Sequence, residues 1–211
     1  MKKKRRIKKK VIVLIILIFI LIGMVTATIF YTKSHKPSTE PTPEVKVVDK
    51  IEGYDYSLEN NKTDLYKDLF DKLVDVLKQD PVNEEEYAKI ISQMAVIDFY
   101  NLDNKVSKND VGGTQFIKSD NVENFIYEAS ETVYKYVEQN LDGKRKQELP
   151  IVTKSEIVSI KQKKYTYKKI VDDKAYVVKV KLEYKKDLGY PTQVTVKLLH
   201  TDKKLEIYYM K

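Results

Sequence analysis

A run of twenty residues from Val11 to Phe30 constrains this chain most, because fifteen of them are Val, Ile, Leu or Phe. At a rise of about 1.5 Å per residue, a helix of this length is about 30 Å long, which matches the hydrocarbon thickness of a bilayer. Tyr31 closes the run at a depth where interfacial aromatic side chains are favoured. The pattern therefore predicts a transmembrane helix over residues 11–31.

The residues before this run predict its orientation. Residues 1–10 form a basic tail with eight Lys or Arg and no acidic residue. Positively charged flanks stay in the cytoplasm, so we expect a single-pass protein of the cell membrane with its C-terminal part outside. Residues 2–10 are expected to contact anionic lipids of the inner leaflet. A cleavable signal peptide is the alternative, because Val25 and Ala27 suit a cleavage site after Ala27.

The tail also explains the net charge of +8. Beyond residue 10 the chain carries 31 basic and 31 acidic residues, so no nucleic-acid partner is favoured. Residues 11–143 hold 13 basic and 23 acidic residues, whereas residues 144–211 hold 18 and 8. This segregation favours either attraction within the fold or the steering of partners. Because the chain has no Cys, disulfides, thiolate metal sites and a Cys nucleophile are excluded.

A Pro-rich segment over residues 32–50 is typical of a semi-rigid linker. Residues 51–211 are then expected to form an α+β domain that begins with about three helices. Asn61 or Thr63 is suited to cap the first helix, which runs to about Gln79, and Asn83 caps the second. The pair Asp120 and Glu123 predicts the start of the third helix, and Gly143 its end.

From about Ile151 the apolar period changes from 3.6 to 2, which predicts strands. Ser155 to Val171 reads as one long strand or two short ones, and further strands follow. The predicted turns are Asp172–Lys174, Asp187–Pro191 and Thr201–Lys203. We therefore expect helices packed on one face of a curved antiparallel sheet of three to five strands.

This order of tail, apolar helix, Pro-rich linker, three helices and antiparallel meander resembles the bitopic assembly subunits of type IV secretion and conjugation machines. The resemblance implies a nuclear-transport-factor-like cone in the exported domain and carries no site residue. The segment 101–116, NLDNKVSKNDVGGTQF, is also similar to a stretch in uncharacterised exported proteins of low-GC Gram-positive bacteria.

The sequence indicates no catalytic residue, no metal site and no cofactor. The two histidines, His35 and His200, are far apart in the chain, and neither belongs to a recognisable triad or metal motif. Asp98 lies in the apolar run from Met94 to Tyr100 and is the best candidate for a carboxylate with a raised pKa. We expect it instead to face solvent or to cap local backbone.

Two segments are candidates for binding. A loop rich in turn-forming residues predicts either an interaction surface or a tight ordered turn that returns Phe116 to the core; its candidate residues are Asp103, Asn109, Asp110, Gly112 and Gly113. A strand that combines tyrosines and lysines predicts either a surface for a polyanion, such as teichoic acid or DNA, or a solvated face; its candidate residues are Lys163, Lys164, Tyr165, Tyr167 and Lys168.

These observations favour a non-enzymatic protein of the cell envelope. We expect it to present its α+β domain as a scaffold or assembly component, with other envelope proteins or further copies of itself as partners. An extracytoplasmic binding module for a small ligand or a wall polymer is the alternative. A hydrolase that acts on wall material is a third, and it requires a cleft with paired carboxylates.

Overall fold

A computed structural model describes residues 45–168 and 170–211. The predicted basic tail, the predicted transmembrane helix and most of the predicted linker lie outside the described residues. Within the two described ranges, no helix has both the length and the apolar character needed to cross a bilayer.

The described residues form an α+β fold in which three α-helices precede a four-stranded antiparallel sheet, as the sequence pattern predicts. A two-stranded sheet comes before the helices. The helices are α1 Asp64–Leu77, α2 Glu84–Tyr100 and α3 Val122–Glu131; the strands are β1 Val47–Ile51, β2 Tyr56–Glu59, β3 Val152–Tyr167, β4 Ile170–Tyr184, β5 Gln193–Thr201 and β6 Lys204–Met210.

Side-chain caps begin the first two helices as predicted. The Thr63 hydroxyl accepts a hydrogen bond from the Tyr66 amide at 3.3 Å, and the Asn83 side chain accepts one from the Glu86 amide at 3.1 Å. Each cap satisfies an amide that the helix itself leaves without a partner. The predicted positions of both helices are confirmed.

Helix α2 lies at the centre of the domain. It packs against α1 and contacts all four strands of the larger sheet, whose order is β3-β4-β5-β6. Alternate residues of β4 and β5 face it and are buried, namely Val178, Val180, Leu182, Val194, Val196 and Leu198. The apolar face that the period of two predicts is therefore the face that builds the core.

The predicted extent of the third helix is wrong. Helix α3 ends at Glu131, not near Gly143, and no side-chain cap bonds its first turn. The chain leaves the helix just before Tyr134, which is fully buried. The hydroxyl of Tyr134 donates to the Phe99 carbonyl at 2.7 Å, so burial of this side chain overrides helical propensity.

The predicted turn at Asp172–Lys174 is also wrong, because these residues lie inside β4. The chain reverses instead at Lys168, which has a φ of 54°. The Asp172 carboxylate accepts the Lys174 amide at 2.9 Å, and the register of β4 against β3 shifts at this point. The turn-forming residues thus produce a β-bulge rather than a chain reversal.

The β1–β2 hairpin was not predicted, and it includes the last residues of the segment read as linker. Its first strand is short and exposed, so it gives almost no apolar periodicity. Tyr56 of the second strand is buried against Tyr87 and Phe116. Lys204 binds Asp55 at 2.9 Å and fixes the hairpin to β6.

Candidate functional site

The strongest polar centre of the described residues is built around Asp98, near the C-terminal end of α2. The prediction that this residue faces solvent is wrong, because its side chain is only 6% exposed. Its carboxylate accepts hydrogen bonds from Lys62 at 2.9 and 3.0 Å, from Lys105 at 2.7 Å and from the Gly113 amide at 2.8 Å. We call Asp98, Lys62 and Lys105 the buried ion centre.

Asp98 and Lys62 shift the pKa values of each other's side chains. Burial by itself raises the pKa of the Asp98 carboxyl, but Lys105 and Lys62 outweigh it and hold that pKa at about 2. Burial lowers the pKa of Lys62, whereas Asp98 and Glu59 raise it, and the net change is upward. Asp98 and Lys62 are therefore both charged at neutral pH.

The Gly112–Gly113 pair allows the following loop to pass directly over α2. A Cβ atom on Gly112 would lie 2.0 Å from the Asp98 carbonyl oxygen, and one on Gly113 would lie 2.8 Å from the Ala95 carbonyl oxygen. Gly113 also has a φ of 78°, a backbone conformation that other residues rarely adopt. Glycine is therefore required here by close backbone contact rather than by a ligand.

The other residues of the predicted interaction loop have mixed roles. The Asp110 carboxylate accepts the Val106 amide at 2.9 Å, which makes it a turn residue. Arg145 donates to the Asp103 carbonyl at 2.6 Å. Phe116 is fully buried, as the ordered-turn alternative requires. An interaction role for Asp103 and Asn109, whose side chains are exposed, stays a prediction.

A polar pocket of 290 Å³ adjoins the buried ion centre. Its lining is Ser57, Glu59, Lys62, Asp98, Thr114, Gln115 and Val122. Several of its polar groups already bind protein atoms: Gln115 accepts the Ser57 amide at 2.9 Å and donates to the Tyr66 hydroxyl at 2.7 Å. The Gln115, Lys62 and Asp98 side chains of the pocket therefore already bind protein atoms.

The predicted polyanion strand lies on β3 and reaches the tip of the β3–β4 hairpin. Tyr165 and Tyr167 pack against Tyr208 of β6, with ring centroids 4.6 and 5.4 Å apart. Tyr208 also belongs to a small apolar cluster with Ala175 and Leu199. Packing therefore accounts for both tyrosines of the predicted strand.

The lysines of that strand differ in their surroundings. Lys164 binds Asp173 at 2.7 Å, and Lys168 binds Asp120 at 3.1 Å. Lys163 is exposed and lies opposite Ala175 in the sheet. Polyanion binding by these residues stays a prediction, but two of the three charges have a local carboxylate partner.

His200 joins the sheet to the N-terminus of α2. Its Nδ1 atom is 2.8 Å from an Asp172 carboxylate oxygen, and its Nε2 atom is 3.5 Å from Glu84. The His200 amide also donates to Asp172 at 2.8 Å. Residues 45–168 and 170–211 contain no group of three or more His, Asp or Glu arranged to hold a metal ion. His35 lies outside the described residues.

Sequence reasoning missed Lys62, Lys105 and Tyr134. One signal was present: a carboxylate inside the apolar run of α2 requires a partner once the run is buried. Nothing in the spacing distinguishes Lys62 and Lys105, which reach Asp98 from outside the helix, from the other lysines of the chain.

No protein-family model, curated protein or solved structure matches this chain. The fold and the site together define only a structural class. The described part of the chain is an α+β domain with an internally satisfied ion centre and a four-stranded antiparallel sheet.

Proposed function

We propose that this chain is a single-pass membrane protein whose α+β domain acts outside the cytoplasm as a scaffold or assembly component of a cell-envelope complex. The observation that carries the proposal is the order of the chain, in which eight cations and a twenty-residue apolar run precede a Pro-rich segment and a packed domain. The proposal includes a likeness to the assembly subunits of secretion and conjugation machines, which have a cone-shaped exported domain.

The polar centre of the domain supports a role without catalysis. The pocket beside it contains two carboxylates, Glu59 and Asp98, and both bind Lys62, at 3.1 and 2.9 Å. A glycosidase needs one carboxyl whose pKa is raised so that it can donate a proton. The pKa of Asp98 is lowered to about 2, because Lys105 and Lys62 outweigh the effect of burial. Asp98 is therefore unsuited to be the proton donor that the hydrolase alternative needs.

Topology can be tested by labelling, because the natural chain has no Cys. Thr192→Cys places a thiol at an exposed position before β5, and Lys4→Cys places one in the tail. In intact cells, a membrane-impermeant maleimide should label the Thr192→Cys chain, and it should label the Lys4→Cys chain only after lysis. The reverse pattern, or a mature protein that begins at Thr28 in the medium, would contradict the anchored topology.

Assembly needs a separate test. Mild crosslinking of intact cells, followed by purification of the full chain in detergent, should recover it in a complex with other envelope proteins or with further copies of itself. A chain that is labelled as an exported membrane protein but remains strictly monomeric and without partners would contradict the scaffold role and leave the topology standing.

A further inference from the structure

The face of the four-stranded sheet that points away from α2 carries rows of lysines. Val177 lies between the buried Tyr176 and Val178, so it and its cross-strand neighbours belong to this outer face. Those neighbours are Lys161 on β3 and Lys197 on β5, and Lys197 in turn pairs with Tyr209 on β6. The next row contains Ser159, Lys179 and Thr195.

Four lysines therefore share a small area. Lys161 and Lys197 are two strands apart, about 10 Å, and Lys161 and Lys163 are two residues apart on one strand, about 7 Å. Lys161, Lys163 and Lys179 are exposed. The ammonium group of Lys197 lies between two tyrosine rings, 4.3 Å from the centroid of Tyr209 and 5.4 Å from that of Tyr165. We call Lys161, Lys163, Lys179 and Lys197 the lysine patch.

Acidic side chains of β3 and β4, namely Glu156, Glu183 and Asp173, pair with lysines outside the patch. Glu183 is shared by Lys154 and Lys181, and Asp173 binds Lys164. Within residues 45–168 and 170–211, no lysine of the patch forms an ion pair with a carboxylate. Because basic and acidic residues balance over residues 45–211, the patch is a local concentration of charge and not a consequence of overall composition.

We propose that the lysine patch binds a linear polyanion of repeating phosphate groups. Rows of ammonium groups on an extended sheet face match a flexible chain of charges, and Lys binds phosphate as a point charge without a fixed geometry. A second copy of this chain is less favoured, because the acid-rich α1 interleaves its aspartates with Lys67 and Lys72. A bilayer surface is less favoured, because the first row holds only Val177 and Tyr209 beside its lysines and the second row holds Ser159 and Thr195.

The proposal differs from the polyanion strand that the sequence suggests. It shares Lys163 with that strand but replaces the others by lysines on three adjacent strands, which only the register brings together. It does not depend on the proposed scaffold function, since it concerns a ligand rather than membrane topology or partner proteins.

The test uses the full chain in a non-ionic detergent, with the eight tail cations replaced by Gln to remove a competing polyanion site. The probe is long-chain inorganic polyphosphate, and affinity is measured as a function of salt. At roughly 0.7 counterions released per contact, four lysines predict a roughly 50-fold loss of affinity between about 50 and 200 mM salt. The triple variant Lys161→Gln, Lys163→Gln and Lys179→Gln should lose only roughly 3-fold in affinity over the same range of salt.

A matched control removes the same charge elsewhere. Lys72→Gln, Lys78→Gln and Lys185→Gln change three exposed lysines outside the patch and should retain the parent affinity and salt dependence. Equal weakening in the two triple variants, or no binding by the parent, would overturn the proposal. Binding to vesicles of phosphatidylglycerol without binding to polyphosphate would also overturn it, because the surface would then be specific for lipid.

Discussion

Replacing Asp98 by Asn tests the role of the buried ion centre most directly. Asp98→Asn keeps the size of the side chain and removes its charge, which leaves Lys105 buried at 3% side-chain exposure without a carboxylate partner. Removing one member of a buried ion pair typically costs about 3–5 kcal/mol, because the remaining charge is left uncompensated. A domain of this size has a free energy of unfolding of about 5–15 kcal/mol, so the variant should remain folded but be much less stable.

The pH dependence separates the charge from the shape of the side chain. The folded-state pKa of Asp98 is about 2, against an ordinary value of 3.8, because Lys105 and Lys62 outweigh the effect of burial. Ionisation of this group therefore stabilises the fold above pH 3.8, by about 2 kcal/mol, and that contribution is lost as the pH falls through the folded value. The stability gap between natural chain and variant should narrow by about 2 kcal/mol between about pH 5 and pH 2.

Urea unfolding of the full chain in detergent, followed by far-UV circular dichroism, measures both quantities; the chain has no Trp for fluorescence. The control is Glu183→Gln, which removes a carboxylate that pairs with Lys154 and Lys181 on the exposed sheet face. Exposed ion pairs contribute about 1 kcal/mol or less, so the control should differ little from the natural chain. Two outcomes would refute the reasoning. One is a loss of stability in Asp98→Asn no larger than that in the control, and the other is a loss that is the same at every pH.

Three further substitutions, the first with a matched control, test packing around this centre and at the outer face. Their free energies of unfolding are measured with urea unless stated otherwise. Gly112→Ala should destabilise by about 3 kcal/mol or more, because its Cβ would overlap the Asp98 carbonyl; Gly189→Ala, with open space around it, should cost only about 1–2 kcal/mol for its positive φ. Tyr134→Phe should cost about 1–3 kcal/mol, because two buried backbone groups lose their hydroxyl partner; no change would contradict that bonding. Tyr208→Ala should speed amide hydrogen exchange at the tip of the β3–β4 hairpin, measured by mass spectrometry, and unchanged exchange would show that this ring does not hold the tip.

The sequence predicts the helical part of the fold where local chemistry is decisive. Thr63 and Asn83 are both good caps and both precede an apolar run with helical spacing, so the first two helices begin where expected. The prediction of where helix α3 ends fails, because that end depends on a tertiary contact. Tyr134 is buried and bonds to Phe99, and no propensity within the segment reports that contact.

The Asp172–Lys174 segment shows a different limit. An Asp side chain that accepts an amide two residues later is a turn signal, and the same hydrogen bond forms here. In this sheet it stabilises a bulge within β4. Local hydrogen bonding thus specifies the bend but not whether the chain reverses, since reversal depends on where the neighbouring strand continues.

The candidate site was harder to predict than the fold because its members come from separate segments. Lys62 precedes α1, Lys105 follows a short 3₁₀ turn, and Asp98 lies on α2 between them. A carboxylate in an apolar run has two physical outcomes, an exposed position or a buried position with a partner. The sequence shows the run, and only the packing of the loop over α2 shows which outcome applies.

Basic and acidic residues segregate along the sequence, which either attraction within the fold or the steering of partners can explain. Lys168 binds Asp120 and Lys204 binds Asp55, so the basic C-terminal half does attract the acidic half at the tips of two hairpins. Other pairs, such as Lys164 with Asp173, stay within the basic half. The lysine patch lies on β3, β4 and β5, on the face opposite α2, and none of its lysines pairs with a carboxylate of the described residues. Attraction within the fold therefore explains the charge at the hairpin tips, and the charge of the patch is left for a partner.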